Sequence, residues 1–217
     1  MRLITEHPIA SESHDHLYPR GTAWDNTHCP AFVEACKRLF PKPSLLDLGC
    51  AGGGLVKDFA DAGLYSFGLE GSDYSKVNNR AEWATIPDRL FCCDVTKPFC
   101  VSLGPNLQTL FKIVTAWELL EHIHEKDLPA FFDNVKRHLE SDGIFMASIA
   151  LFPDSEGDKV WHVTLRQKEW WIETLKKNGL HPFDVGFAEK EWPRGSANGP
   201  GDWSGETAGF HVACRQY

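Results

Sequence analysis

One short segment, Thr115 to Asp127, concentrates the side chains in this sequence that could do chemistry. It reads TAWELLEHIHEKD and contains four carboxylates and two histidines. Glu118, Glu121 and His122 are spaced i, i+3 and i+4, so a helix would place them on one face. Carboxylate and imidazole groups together suit a divalent metal ion, a general base, or hydrogen bonds within the fold. The segment alone leaves these three interpretations open.

A second histidine could complete such a site. His162 stands in KVWHVTLRQKEWW, in the loop after the strand predicted at 143–150, and this loop leaves the sheet at the edge where the segment begins. The candidate metal ligands are therefore Glu118, Glu121, His122 and His162, and the two histidines are also the candidate catalytic bases. Oxygen ligands combined with imidazoles favour Mg²⁺ or Mn²⁺.

The elements that must position these residues alternate between strands and helices. Strands are predicted at 44–49, 65–70, 89–94, 111–117, 143–150, 181–188 and 209–215. Helices are predicted at 29–40, 56–62, 76–84, 127–139 and 168–179, and a Gly- and Pro-rich loop separates the last two strands. This order predicts an α/β fold: a Rossmann-like, doubly wound sheet of seven strands, mainly parallel, with helices on both faces. The last two strands are joined without a helix, so we expect the final strand to be antiparallel.

Length and charge narrow the class of protein. A chain of 217 residues is typical of one domain, here 29–217, with a cofactor half at 44–150 and acceptor-side elements at 151–217. The polar residues 1–28 are predicted to form an arm or lid. The net charge of −8 argues against broad binding to nucleic-acid phosphates. Seven cysteines without a metal-type C-x-x-C spacing, and no apolar run of membrane length, favour a cytoplasmic protein with reduced thiols. The oligomeric state is left open.

A glycine turn between a strand and a helix provides the signal for a cofactor. The stretch LLDLGCAGGG (45–54) allows the backbone to approach a ligand closely. Glu70 ends the next strand, where a carboxylate can accept both hydroxyls of a ribose. Asp94 ends the third strand, where a short acid can receive an adenine amino group.

These motifs resemble those of the class I S-adenosylmethionine-dependent methyltransferases. The resemblance covers about residues 44 to 150 and rests on LLDLGCAGGG, GLEGSD, FCCDVTKPF and FKIVTAWELLEHI, with Ala51 in place of the middle glycine of the turn. It implies that the methionine part of S-adenosylmethionine lies beside Asp47, Gly49, Cys50, Ala51 and Gly53. It also implies that Glu70 holds the ribose with Ser72 or Asp73 nearby, and that Asp94 and the Val95 backbone N–H read the adenine.

Two points in this assignment stay open. Trp117 either forms a wall of the donor pocket or packs in the core. A nicotinamide cofactor is the rival to the methyl donor, since it suits the glycines and Glu70, but it gives no role to Asp94 or to WELLEHI.

The pattern E-x-x-E-H followed by a distant histidine is similar to that of a metal-dependent subset of O-methyltransferases. This subset includes small-RNA methyltransferases that modify a terminal ribose 2′-hydroxyl, and the pattern is similar in part to ubiquinone-pathway O-methyltransferases. It implies transfer to a hydroxyl whose pKa the metal lowers.

Three classes of acceptor remain. A small sugar or glycan end suits the six tryptophans that flank the cofactor region, Trp24, Trp161, Trp170, Trp171, Trp192 and Trp203. A terminal RNA ribose and a phenolic metabolite are the alternatives, and a non-enzymatic binding module is the alternative from a different functional class. We expect a small-molecule or carbohydrate partner, with no nucleic acid and no membrane.

Overall fold

Seven strands form the central sheet of this computed structural model, which describes residues 2–104, 107–194 and 208–217. The strands are β1 (Leu45–Leu48), β2 (Ser66–Glu70), β3 (Leu90–Cys92), β4 (Phe111–Trp117), β5 (Leu139–Ala150), β6 (Leu180–Phe183) and β7 (Gly209–Gln216). Their order across the sheet is β6-β7-β5-β4-β1-β2-β3. The five strands β5, β4, β1, β2 and β3, which are neighbours in this order, run parallel. Strand β7 is antiparallel to both of its neighbours, β5 and β6. The predicted fold class, including the reversed last strand, is confirmed.

Helices cover both faces of the sheet because the strands bury side chains on both sides. The helices are α1 (His14–Leu17), α2 (Gly21–Trp24), α3 (Pro30–Leu39), α4 (Gly54–Asp61), α5 (Tyr74–Val77), α6 (Leu128–His138) and α7 (Lys168–Lys177). On β4, Ile113 belongs to the core cluster shared with α3 and α4, whereas its neighbour Val114 belongs to the cluster shared with α6 and α7. This alternation is what a strand between two helical layers requires.

Two predicted elements are interrupted or ended early by residues with positive φ angles. The expected helix at 76–84 is divided into α5 and a 3-10 turn, Ala81–Ala84, because Asn79 and Ala81 have positive φ angles of 49°. The expected strand at 181–188 ends at Phe183. The Asp184 carboxylate accepts the backbone N–H of Gly186, and Gly186 has a φ of 72°, which turns the chain out of the sheet.

The N-terminal arm, residues 1–28, has structure that the sequence did not reveal. Its strand Arg2–Thr5 pairs antiparallel with Phe99–Gly104, which in turn pairs with Leu107–Gln108. The arm then carries α1 and α2 over the carboxyl edge of the central sheet. A small hairpin, Ser155–Glu156 with Lys159–Val160, follows β5 at the same edge.

No helix in the described part of the chain is both long enough and apolar enough to span a membrane.

Candidate active site

A cavity of about 1310 Å³ opens at the carboxyl edge of the sheet. Its walls come from the ends of β1, β2 and β4, from the loops after β3 and β5, and from the arm. Pockets for a single small ligand typically measure about 300–1,000 Å³. This cavity is therefore large enough for a cofactor and a second molecule together.

The glycine turn after β1 serves the arm as well as the cavity. Gly49 and Gly53 have φ angles of 74° and 89°, which glycine adopts without strain. A Cβ on Gly52 would lie 2.7 Å from the backbone oxygen of Asp25, and the Gly52 N–H donates to that oxygen at 3.1 Å. A Cβ on Gly54 would lie 2.6 Å from the Thr27 oxygen. Two of the glycines thus allow the arm, and not a ligand, to approach closely.

Glu70 joins the glycine turn to the loop after β2. Its Oε2 accepts the Ala51 N–H at 2.7 Å and its Oε1 accepts the Ser72 N–H at 3.1 Å. Burial raises the pKa of Glu70 to about 7 even though both backbone donors favour the ionised form. The carboxylate is therefore held in place on the cavity wall by the two segments that flank it.

Seven of the predicted cofactor residues line the cavity and three do not. Those on the wall are Gly49, Ala51, Glu70, Ser72, Asp94, Val95 and Trp117. Those off the wall are Asp47, Cys50 and Gly53.

Each of the three residues off the wall has a partner inside the fold. The buried Asp47 carboxylate accepts from Thr115 Oγ1 at 2.7 Å, and burial raises the pKa of Asp47 to about 7. The Cys50 side chain lies over Gly68 of β2, and Gly53 packs beside Leu90.

Asp94 lies in a turn on the cavity wall. Its Oδ1 accepts the backbone N–H of Thr96 at 2.9 Å and the Thr96 hydroxyl at 2.6 Å. The Asp94 backbone N–H donates to the His7 oxygen of the arm at 3.0 Å. The position of Asp94, just after β3, is thus fixed both by its own loop and by the arm.

Glu121, His122 and His162 come together, with one potential ligand atom of each lying within 4.8 Å of the others. Glu121 is fully buried, and its Oε1 accepts the Ala150 N–H at 2.8 Å. Its Oε2 is buried and has no hydrogen-bond partner among the described residues. Burial raises the pKa of Glu121 to about 7, although the nearby His122 opposes this.

The two histidines have opposite electrostatic surroundings, with ring centroids 4.9 Å apart. Burial would lower the pKa of His122, but Asp15, whose carboxylate lies 2.7 Å from Nδ1, outweighs burial and the pKa rises to about 9. Burial and the neighbouring His122 lower the pKa of His162. His162 Nδ1 lies 2.6 Å from the Phe152 carbonyl oxygen. His162 is therefore neutral at pH 7, donates through Nδ1, and keeps a lone pair on Nε2.

Glu118 lies apart from this cluster, contrary to the expectation that three ligands share a helix face. Only Leu120–His122 is helical, as a single 3-10 turn, and Glu118 precedes it with a φ of 47°. The Glu118 backbone N–H donates to Ser148 Oγ at 2.9 Å, and its carboxylate lies 3.8 Å from Arg194 Nε. The positive φ breaks the helical spacing that would have placed Glu118 on one face with Glu121 and His122.

Among the charged residues of the cavity wall that sequence reasoning missed are Asp15 and Arg194. Arg194 is buried and pairs with Asp25 as well as with Glu118, and burial lowers the pKa of its guanidinium to about 10. Neither residue belongs to a motif, and each meets its partner only after long-range folding. No local signal could have identified them.

The tryptophans divide between the core and the cavity. Trp24 lines the cavity and is 84% exposed, and Trp161 lines it while stacking under the Arg20 guanidinium at 4.9 Å. Trp171 is buried in the core, and Trp170 packs against it. Trp192 packs on Trp117 and His211. Trp203 lies outside the described residues.

Comparisons with known proteins identify the family. Residues 23–185 match the family model described as a methyltransferase domain. The chain belongs to this methyltransferase family. Its fold is that of the class I S-adenosylmethionine-dependent methyltransferases, as the sequence predicted. No curated protein matches the chain in sequence.

Solved structures share the fold at low sequence identity. The CcbJ methyltransferase from Streptomyces caelestis is 12% identical, with a TM-score of 0.59 over 98% of this chain and 99% of that one. An S-adenosylmethionine-dependent methyltransferase from Clostridium acetobutylicum is 16% identical, with a TM-score of 0.59 over 88% and 92%. The glycopeptide N-methyltransferase MtfA in complex with S-adenosyl-L-homocysteine is 18% identical, with a TM-score of 0.55 over 92% and 91%.

Proposed function

We propose that this methyltransferase transfers the methyl group of S-adenosylmethionine to a hydroxyl of a sugar-type small molecule, assisted by a divalent cation. The observation that carries the proposal is the cluster of Glu121, His122 and His162, whose ligand atoms lie within 4.8 Å of one another. Both histidines line the same cavity as Glu70 and Asp94. An acceptor bound at the cluster would therefore lie beside a donor held by these two acids.

The residues of the cluster fit a cation. Glu121 has a buried carboxylate oxygen without a protein partner among the described residues, which a cation would satisfy. His162 offers a free Nε2 because its Nδ1 faces a backbone carbonyl. His122 has a carboxylate beside Nδ1, the arrangement that orients metal-binding imidazoles in proteins, and a bound cation would have to displace the second ring proton of this histidine. Two imidazoles and one carboxylate leave coordination positions open, and Mg²⁺ or Mn²⁺ is the cation that we propose.

The chain's own residues supply binding, orientation and exclusion of water. Glu70 accepts hydrogen bonds from the ribose hydroxyls, and Asp94 accepts a hydrogen bond from the adenine amino group. Alignment of the acceptor oxygen, the methyl carbon and the sulfur then provides most of the rate, because the sulfonium is already a good leaving group. A bound cation would lower the pKa of the acceptor hydroxyl. With His162 Nε2 taken up as a ligand of that cation, the proton of the hydroxyl would pass to solvent.

A metal-free reaction is the second candidate, and one observation favours it. His162 is neutral, oriented through Phe152, and open at Nε2, which are the properties of a general base. His122 does not suit that role, since its pKa of about 9 keeps it protonated at neutral pH. In this version His122 contributes positive charge and His162 alone removes the proton.

The charge of the cavity supports a neutral or cationic acceptor. In the described part of the chain, eight carboxylate side chains line the cavity, against five cationic ones, Arg20, Lys97, Lys126, Arg194 and the protonated His122. A phosphate-bearing RNA end would meet net repulsion there. The exposed indole of Trp24 provides a face on which a sugar ring can stack. The similarity to a glycopeptide N-methyltransferase makes transfer to nitrogen the competing outcome.

The test combines metal removal with an acceptor panel. The enzyme is stripped with a chelator and assayed on sugars, amino sugars, phenols and a short RNA, then again after each metal is added back. We expect methyl ether formation on a sugar-type hydroxyl, lost after stripping and restored by Mg²⁺ or Mn²⁺. Full activity in the stripped enzyme would exclude a catalytic metal and leave His162 as the base. Methylation of amines alone would overturn the O-methyl proposal.

Donor binding should strengthen as the pH rises through neutrality. Burial raises the pKa of Glu70 to about 7, so the free protein is largely protonated at this residue at pH 6 and ionised at pH 8. Only the ionised form offers two acceptors to a ribose and attracts the sulfonium. We therefore expect calorimetry to show tighter S-adenosylmethionine binding at pH 8 than at pH 6. The Glu70→Gln variant should lose most of this dependence, and an unchanged dependence in that variant would assign it to another group.

A further inference from the structure

Asp15 of the arm contacts the candidate catalytic cluster. Its carboxylate lies 2.7 Å from His122 Nδ1, and both side chains are largely buried, with exposures of 22% and 17%. Asp15 lies in the arm, and His122 lies far along the sequence, toward the end of the cofactor half (44–150). The two residues meet only because the arm folds over the sheet. The contact lies on the cavity wall, to which both residues contribute.

Contacts on several sides fix the position of Asp15. Ser13 caps α1 by accepting the Asp15 N–H at 3.2 Å. His14 Nδ1 lies 2.5 Å from the Val160 oxygen in the hairpin after β5. The Trp161 indole N–H donates to the Tyr18 oxygen at 3.4 Å. This helix is therefore held between the cluster and the hairpin.

An ion pair also links the arm to the segment after β5. Arg20 Nη1 of the arm lies 2.5 Å from Asp154 Oδ1. Asp154 also anchors the segment that carries His162, because its carbonyl oxygen accepts the N–H groups of Trp161 and His162 at 2.9 and 3.3 Å. The arm thus contacts the supports of both histidines.

We propose that Asp15 is a positioning residue: its carboxylate, 2.7 Å from Nδ1, holds the His122 ring so that the ring faces Glu121 and His162. In solution we expect the Nδ1 hydrogen to be donated to this carboxylate. A histidine ring that donates one N–H to a carboxylate has a fixed orientation. The cluster is then complete only when the arm is docked. This inference rests on the proposed role of the cluster and adds to it the arm residue that assembles it.

The alternative is that Asp15 only anchors the arm by its charge. An anchoring role predicts that loss of Asp15 loosens the arm and weakens ligand binding, without a specific effect on the His122 ring. A positioning role predicts the reverse. The two roles are separated by variants at position 15 combined with a direct observation of the ring.

The experiment uses the full chain as wild type, Asp15→Ala, Asp15→Asn and, as the control, Glu6→Gln, an exposed acid of the same arm. Proton–nitrogen NMR on protein labelled at histidine nitrogens detects the Nδ1 hydrogen of His122, assigned by its loss in His122→Gln. We expect a slowly exchanging Nδ1–H in the wild type, in Glu6→Gln and in Asp15→Asn, whose amide oxygen still accepts. Asp15→Ala should lose it.

Turnover should follow the NMR signal. Loss of such an orienting partner costs about 10–100-fold in activity, so Asp15→Ala should lower kcat by that factor, Asp15→Asn should recover part of it, and the donor Kd should hardly change. An unchanged Nδ1–H in Asp15→Ala, or a weakened donor Kd with normal kcat, would overturn the proposal. The NMR result needs neither acceptor nor metal, so it stands or fails independently of whether oxygen is the methylated atom.

Discussion

Replacing Glu121 with glutamine or His162 with alanine should lower turnover by about 10²–10⁴-fold, the range over which positioned acid–base groups act. Glu121→Gln removes the negative charge but keeps an oxygen for the Ala150 N–H, which the native Oε1 accepts at 2.8 Å. His162→Ala removes the free Nε2, which is a ligand of the cation in the metal-assisted reaction and the base in the metal-free one. Single-turnover assays with saturating S-adenosylmethionine measure the effect on the chemical step itself.

Matched controls separate this effect from loss of fold. Glu125→Gln changes the same residue type in an exposed position four residues along the same segment, where Glu125 pairs with Arg166 at the surface. His181→Ala removes a histidine of the edge strand β6 whose ring packs on Tyr217 and which is not among the described residues that line the cavity. Both controls should retain wild-type turnover. Wild-type turnover in Glu121→Gln and His162→Ala as well would show that the cluster has no catalytic role.

The stability of Glu121→Gln provides a second check. Burial raises the pKa of Glu121 to about 7, above its usual value near 4.5. For an acid whose folded-state pKa is raised, stability is fully present below the unfolded pKa and is lost as the pH rises through the folded one. The glutamine variant cannot ionise, so its thermal stability at pH 8 should equal or exceed that of the metal-free wild type. Reduced turnover in a protein of normal stability would then be a catalytic effect.

Replacing Glu70 or Asp94 with alanine should weaken S-adenosylmethionine binding by roughly 10- to 100-fold for each residue. A hydrogen bond to a charged group contributes about 1.5–3 kcal/mol, and each 1.4 kcal/mol changes a Kd about tenfold. Both acids line the cavity at the ends of neighbouring strands, where the two halves of a nucleoside would lie. Calorimetry with the donor and with its demethylated product measures the change.

Glu70 also holds the glycine turn together, so its variants need a structural control. Glu70→Gln retains an oxygen for one of the two backbone donors, Ala51 and Ser72, and should lie between wild type and Glu70→Ala in affinity. Asp88→Asn, an exposed acid before β3, should bind the donor normally. Tight donor binding in both alanine variants would contradict the assignment of the donor site, as would a preference for a nicotinamide dinucleotide.

The sequence by itself determined the sheet, its reversed last strand and the position of Glu70 and Asp94 at one edge of the sheet. These features depend on short-range patterns: apolar runs such as FKIVTAW, a glycine turn directly after a strand, and acids at strand ends. The carboxyl ends of neighbouring parallel strands share one edge, so Glu70 and Asp94 had to face the same cavity once the strand order was inferred. The small sheet of the arm escaped this reasoning because Arg2–Thr5 is too short and too polar to show a strand period.

Only the tertiary structure decided which charged groups meet. A backbone φ of 47° takes Glu118 away from the cluster that its spacing predicted, toward Arg194. Asp15 approaches His122 only because the arm folds over the edge of the sheet. Spacing along a chain fixes relative positions only within one regular element. Which side chains from different elements come into contact depends on packing and electrostatics over the whole fold. These contacts determine the protonation states of His122 and His162.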